Sequence, residues 1–129
     1  MIAVDTNVLV RYFAEDDPVQ TEKARRFLEH DSTRDSPAFV TLVTLVELIW
    51  VLNDTYKIGK AMQAEVVREL LDAPKLVIER DDIVRSAMEL SNGDIADRII
   101  HLCGEVSGCT KTVTFDKKFA RLEGVELLT

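Results

Sequence analysis

The chain has 129 residues, 47% hydrophobic and 30% charged, which is room for one domain with a real core and too little for two. Its 16 Lys+Arg against 23 Asp+Glu give a formal net charge of -7; that disfavours non-specific nucleic-acid binding through a basic surface, yet admits a basic partner or a nuclease whose acids carry metal. No apolar run reaches the about 18 residues a bilayer crossing needs, and no basic leader precedes an apolar segment, so cytoplasmic residence is expected.

Ile2-Ala3-Val4-Asp5-Thr6-Asn7 is an apolar run ending in a carboxylate, a hydroxyl and an amide. That is the pattern of a buried parallel strand with polar groups at its C-terminal end. Ligand and metal sites in open α/β sheets gather at that edge, which makes Asp5 the first active-site candidate. Capping of the next helix by Asp5 or Asn7 is the plainer alternative. Val8 to Ala14 reads as a short helix, broken by Glu15-Asp16-Asp17-Pro18. Pro18 suits the first turn of a helix running to about His30, with Ala24, Phe27 and Leu28 inward. Asp31 to Ser36 is a polar loop, and Pro37 to Val40 a second short strand.

From Thr41 the apolar spacing is helical, through Leu42, Leu45, Val46, Ile49, Trp50 and Leu52. Thr44 and Glu47 fit a Thr-x-x-Glu capping box, which would make Glu47 a capping residue only. A further helix covers Lys60 to Asp72 with Met62, Val66, Leu70 and Leu71 as its buried stripe, and Lys75 to Ile78 is a third strand. Asp81 to Leu90 is helical, Ser91-Asn92-Gly93 a turn, and Asp94 starts another helix through Ile99 and Leu102. Thr110 to Phe115 reads as a fourth strand, Lys117 to Ala120 as a helical turn, and Val125 to Leu128 as a final edge strand. Strands separated by helices of this length predict α/β architecture with a mostly parallel sheet, in a single domain over residues 1–129.

Most of the acids serve solubility, so position must select among them. Asp5 ends the first strand, Asp94 and Asp97 stand three apart at a helix start, and Asp116 follows the fourth strand. Glu47 sits among Val46, Leu48 and Ile49, where an unpaired buried carboxylate would be expensive. Parallel connections bring strand ends and helix starts to one edge of a sheet. Several carboxylates there need a counterion, and Mg²⁺ or Mn²⁺ suits oxygen ligands. Zinc would call for His or Cys partners; His30 and His101 form no cluster, and Cys103 and Cys109 read as small buried hydrophobes of a reducing compartment. There is no glycine-rich phosphate loop. A divalent ion on carboxylates acidifies a bound water and stabilises charge on a phosphoryl oxygen, so phosphodiester hydrolysis is the reaction class, with one metal or two left open. Thr6, Asn7 and Thr114 are candidates to orient carboxylates or water, with capping and turn hydrogen bonds as the alternative.

Together Asp5-Thr6-Asn7, Glu47 in Thr44-Leu45-Val46-Glu47-Leu48, Gly93-Asp94-Ile95-Ala96-Asp97 and Thr114-Phe115-Asp116 resemble a PIN-domain ribonuclease over essentially the whole chain. More narrowly, the pattern resembles the VapC-type toxin of a type II toxin–antitoxin system. The resemblance implies a three-layer α/β/α sandwich around a mostly parallel central sheet of about five strands. It implies an acidic pocket that binds Mg²⁺ or Mn²⁺ and cleaves single-stranded or loop RNA, often tRNA or ribosomal RNA. Asp5, Glu47, Asp97 and Asp116 match the core acidic set, Asp94 an additional acid, and Thr6, Asn7 and Thr114 the supporting positions. A homodimer is implied, as is inhibition by a cognate antitoxin whose tail lies across the groove, with DNA reached only through that antitoxin.

The helices from Val8 to His30 and from Thr41 to Leu71 are sources of such surfaces, and Trp50 and Tyr56 are interface candidates, against the reading that Trp50 is core. Arg11, Lys57, Lys60, Lys111, Lys117, Lys118 and Arg121 are candidate phosphate contacts. Three rival readings stay open: a structure-specific DNA nuclease of the same chemistry, a non-catalytic PIN-like binding protein, and a phosphatase-like receiver domain. The last ranks lowest, because Glu47 and Asp97 fall on helices rather than at the end of a middle strand.

Overall fold

The computed structural model describes residues 1–129. Its elements are β1 (Ile2–Ala3), α1 (Thr6–Ala14), α2 (Pro18–Arg26), β2 (Ala38–Val40), α3 (Leu42–Asp54), α4 (Lys60–Asp72), β3 (Leu76–Ile78), α5 (Asp81–Glu89), α6 (Ile95–Val106), β4 (Thr112–Thr114) and β5 (Val125–Leu127). This is the alternating α/β order that the sequence predicts, and every strand pair is parallel. The strands divide between two sheets, β1-β2-β3 and β4-β5, where the resemblance implies one sheet of five. Strands of two or three residues offer few ladder bonds, and each sheet is closed off within one of two compact units, Met1–Asp81 and Asp82–Thr129.

In the first unit β2 is the middle strand, with Ala38 and Val40 fully buried. The spacing predicts a buried first strand, but β1 is an edge strand paired only to β2, and Ile2 is 58% exposed. Burial begins at Val4, where the chain turns toward α1. Leu9 of α1 and Leu45 and Leu48 of α3 are the large side chains at the centre of this unit. α1 packs on α2 and α3, α3 on α4, and α4 against β3.

Two helix starts follow from local chemistry. Asp17 caps α2 by accepting the Gln20 N–H at 3.0 Å, and Pro18 takes the first turn, where its missing N–H costs nothing. α2 then widens into one π turn over Phe27–Asp31, closed by Ser32 N–H donating to the Phe27 carbonyl at 2.8 Å. α3 is capped by Thr41, whose Oγ1 accepts the Thr44 N–H at 3.1 Å. The Thr44–Glu47 capping box is therefore not formed: the helix starts earlier, because Thr41 already supplies the acceptor, and Glu47 lies past the first turn.

The buried stripe of α4 also differs from its spacing. Gln63, Val66, Val67 and Leu70 are buried, while Met62 is 56% exposed. Gln63 is accommodated because its amide nitrogen donates to the Ile58 carbonyl at 2.7 Å and to Asn53 Oδ1 at 3.0 Å, satisfying the buried polar group. Trp50, on the apolar side of the predicted pattern, is 50% exposed, which overturns the core reading.

In the second unit Phe119, Leu122 and Val125 form a cluster against which Leu90 packs. His101 of α6 is buried, with Nδ1 2.8 Å from Thr112 Oγ1, and its ring fills the space beside Gly124. Gly124 has φ +86°, and a Cβ there would stand 2.9 Å from His101 Cε1. Gly108 shares a positive φ of +95° but faces open space. Gly124→Ala should lower stability by about 1–3 kcal/mol from backbone strain alone, with the clash adding to it. Gly108→Ala should cost less. Urea denaturation of both variants checks the ordering, and equal losses would remove the His101 contact as a cause.

Candidate functional site

The first unit builds its site where β1 gives way to α1. Asp5 keeps extended dihedrals (φ −84°, ψ 159°), and its Oδ1 accepts the Thr6 N–H at 2.8 Å. The capping role is thus real, and it engages one oxygen of two. Thr6 is buried beneath it, while Asn7 is exposed beside it. Glu47 stands on the solvent side of α3, with Leu45, Leu48 and Ile49 turned to the core. Its carboxylate escapes the desolvation cost that its apolar neighbours suggest and has no hydrogen bond or ion pair. Asp5, Asn7 and Glu47 line one open cleft of about 310 Å³, together with Arg11, Thr55 and Tyr56.

Arg11 is held from three sides. Its Nε donates to Gln20 Oε1 at 2.7 Å, and its Nη1 donates to Asp16 Oδ1 and to the Tyr56 hydroxyl, each at 3.3 Å. The Tyr56 hydroxyl in turn donates to Asp16 Oδ2 at 2.6 Å. That bond is the main reason the Asp16 carboxyl sits below its usual range, with the Arg11 charge adding to it. The same bond pushes the Tyr56 hydroxyl up, since ionising it would forfeit the bond, and burial helps. Tyr56, an interface candidate by residue type, is tied into the lining of the cleft. Asp16 and Gln20 look like a helix break and a surface residue in sequence; nothing in their spacing announces a link to Tyr56.

In the second unit Asp94 precedes α6 as its N-cap residue, without a side-chain cap bond, and its Oδ1 lies 3.4 Å from Lys118 Nζ. Asp97 is half-buried in the first turn of α6. Asp116 follows β4, and its Oδ1 accepts the N–H groups of Lys118 at 2.8 Å and Phe119 at 3.2 Å, capping the short 3₁₀ turn Phe119–Arg121. Its own N–H donates to Thr114 Oγ1 at 3.0 Å, so Thr114 holds the Asp116 backbone. Lys118 joins the two acids, through its amide to Asp116 and its ammonium to Asp94. Arg98, next to Asp97, donates to the Asn92 carbonyl at 2.7 Å and the Ala87 carbonyl at 3.3 Å, and burial draws its pKa below the usual arginine value, with Asp94 opposing. Among the basic candidates, Lys111 is engaged with Glu126 at 2.5 Å.

Each unit thus gathers part of the acid set: Asp5 with Glu47 in the first, Asp94 with Asp116 in the second. Within neither unit do three or more His, Cys, Asp or Glu side chains form a group that could hold a metal ion. The donors are nevertheless carboxylate oxygens, and Mg²⁺ characteristically takes one or two carboxylates and completes its shell with water and substrate phosphate. The pair on the first cleft fits that mode, and not a closed protein cage.

With fold and acids in place, the family is shown by comparison: the model of the PIN domain matches residues 2–125, and the chain belongs to that family. It is also similar to the VapC ribonuclease of Aquifex aeolicus (strain VF5), 26% identical over 126 residues that cover 95% of this chain and 92% of the relative. No helix is long and apolar enough to cross a membrane.

The Asp16–Tyr56 link has a pH signature. With the Asp16 pKa lowered, its stabilisation is present above the ordinary carboxylate range and is lost as pH falls through the lowered value. With the Tyr56 pKa raised, its share is present below the ordinary phenol range and is lost as pH rises through the raised value. Titrating tyrosinate absorbance should show Tyr56 and Tyr12 both ionising late, Tyr12 chiefly through burial. Asp16→Asn should bring Tyr56 back toward its ordinary value and leave Tyr12 raised; an unchanged titration would mean the link is absent in solution.

Proposed function

We propose that this chain is a metal-dependent endoribonuclease of the VapC toxin type, hydrolysing phosphodiester bonds of RNA and inhibited by a cognate antitoxin. One observation carries the reading: in a member of the PIN family, Asp5 has one carboxylate oxygen engaged, Glu47 has none, and both line an open cleft. The similarity to a VapC ribonuclease supports the RNA substrate and the antitoxin partner. The family match runs through both compact units, which supports their acting as one nuclease domain.

In this reading Asp5, Glu47, Asp94, Asp97 and Asp116 hold Mg²⁺ or Mn²⁺. The ion, when bound, supplies an acidified water and a positive charge against the phosphoryl oxygen. The chain's own groups do the positioning. Thr6 N–H fixes the rotation of the Asp5 carboxylate and leaves Oδ2 for ligation. Glu47, with both oxygens open, is placed to accept the proton of an attacking water. Thr114 holds the Asp116 backbone, the kind of support that keeps a ligating carboxylate aimed. A homodimer in the cytoplasm, with tRNA or ribosomal RNA as the target, completes the proposal.

The test is hydrolysis of a pool of tRNA and other structured RNA, with Mg²⁺ or Mn²⁺ against EDTA, beside matched DNA. Cleavage should require metal, prefer RNA, disappear in Asp5→Asn and Asp97→Asn, and fall about 10²–10⁴-fold in Glu47→Gln. Thr114→Val should lose about 10–100-fold, through Asp116. Cleavage that survives EDTA or both aspartate substitutions would refute the site, and equal cutting of DNA would refute the substrate class.

A further inference from the structure

Two adjoining clefts share a ridge. Asp5, Asn7 and Arg11 line the cleft with Glu47 and also a second one of about 420 Å³, which adds Gln20 and Lys23. Arg11 is the one cation among the residues lining the first. Its guanidinium has five N–H donors, of which one on Nε and two on Nη1 are engaged, leaving both on Nη2 open. The side chain stays 31% exposed. A guanidinium serving only to brace α1 against α2 and the connections that carry Asp16 and Tyr56 has no need of a nitrogen left without a partner.

Charge gives the second argument. A polynucleotide phosphate approaching Asp5 and Glu47 meets like charge from both, and Arg11 is the lining group that offsets it. The restraint gives the third. Gln20, Asp16 and Tyr56 hold the fork, and Thr21 Oγ1 donates to the Arg11 carbonyl at 2.9 Å, so little ordering entropy remains to be lost on binding. Asp16 divides its carboxylate between Arg11 and Tyr56, one oxygen to each, and so does not clamp the guanidinium in a two-pronged ion pair.

We propose that Arg11 is an anchor for a substrate phosphate at the Asp5–Glu47 cleft, and that Tyr56, Asp16 and Gln20 are positioning residues that aim it. The assignment rests on the ribonuclease reading for the identity of the ligand, an RNA phosphodiester. The local chemistry, a fixed guanidinium with Nη2 open, holds for any phosphate.

The experiment measures binding without turnover. Wild-type protein, Arg11→Gln, Arg11→Lys and Tyr56→Phe are titrated in EDTA with a single-stranded RNA oligonucleotide at several salt concentrations, and separately with inorganic pyrophosphate. Thermal unfolding runs alongside. Arg11→Gln should weaken RNA binding about tenfold or more and reduce the salt slope by about one. Arg11→Lys should restore the slope while remaining weaker, since a point charge lacks the fork. Tyr56→Phe should weaken binding with the slope unchanged, because the charge remains and only its aim is lost. A merely structural Arg11 would lower the unfolding temperature and leave slope and affinity at the wild-type values, which overturns the proposal. Should Arg11→Gln not fold, Arg11→Lys and Tyr56→Phe carry the test, and wild-type affinity and slope in both would overturn it. If wild-type protein supplied with Mg²⁺ or Mn²⁺ cuts no RNA in the hydrolysis assay, while Arg11→Gln abolishes the pyrophosphate binding that wild-type protein shows, the ribonuclease reading fails and the phosphate site stands. Wild-type protein that binds neither RNA nor pyrophosphate overturns the phosphate site.

Discussion

One hydrogen bond sets the geometry of the first cleft: Asp5 Oδ1 to the Thr6 N–H. It satisfies a donor that the first turn of α1 cannot satisfy internally, and so fixes where the chain leaves β1 and in which direction α1 runs. α1 then does two things at once. Its Leu9 and Val10 face the core against α2 and α3, and its Asn7 and Arg11 face the clefts. Moving Asp5 therefore moves the packing and the charged groups together. The cost of desolvating the acid is avoided because it stays at the surface, where water and a metal can reach its second oxygen.

The same dual use recurs in the second unit. Asp116 caps a 3₁₀ turn with one oxygen and is held through its backbone by Thr114. Asp94 stands at the start of α6, where the helix dipole favours negative charge, and has the Lys118 ammonium close by. Capping against chemistry is thus a false choice for Asp5 and Asp116: a carboxylate has two oxygens, and anchoring one removes the rotational freedom that a ligand must otherwise lose on binding. Glu47 is the contrast. With no cap and no ion pair, its carboxylate keeps its rotational freedom at the edge of the cleft.

Much of the fold is legible because it is local. The α4 bounds, Lys60–Asp72, come from a glycine before it and Ala73-Pro74 after it. Pro18 and Asp94 mark helix starts by chemistry that acts within one turn. The failures share a cause as well. Gln63 is buried in place of Met62 because Asn53, in the last turn of α3, and Ile58, on the connection that follows, offer acceptors for its amide. Trp50 is half exposed because the buried face of α3 is set by Thr44, Leu45, Leu48, Ile49 and Leu52, one step round from the stripe its apolar spacing suggests. Thr41 rather than Thr44 caps α3 because two threonines compete and the earlier has the extended dihedrals. In each case the deciding factor is one that apolar spacing does not register: an amide's acceptors, the face that packs, or the dihedrals of a cap.

By itself the sequence determined the order and type of the elements, the parallel α/β class, and the positions of the acids at strand ends and helix starts, since periodicity, capping and turn chemistry operate over a few residues. It also carried the motif resemblance that the family match bears out. The tertiary structure alone decided that β1 is an exposed edge strand, that the strands pair as three and two, and that Glu47 stands exposed on the cleft and not buried among its apolar neighbours. It alone decided that Arg11 meets Tyr56, 45 residues away, and that Tyr56 meets Asp16, 40 away. Those outcomes depend on which faces pack and where distant side chains find donors and acceptors, and sequence spacing holds no information about a partner that only packing brings near.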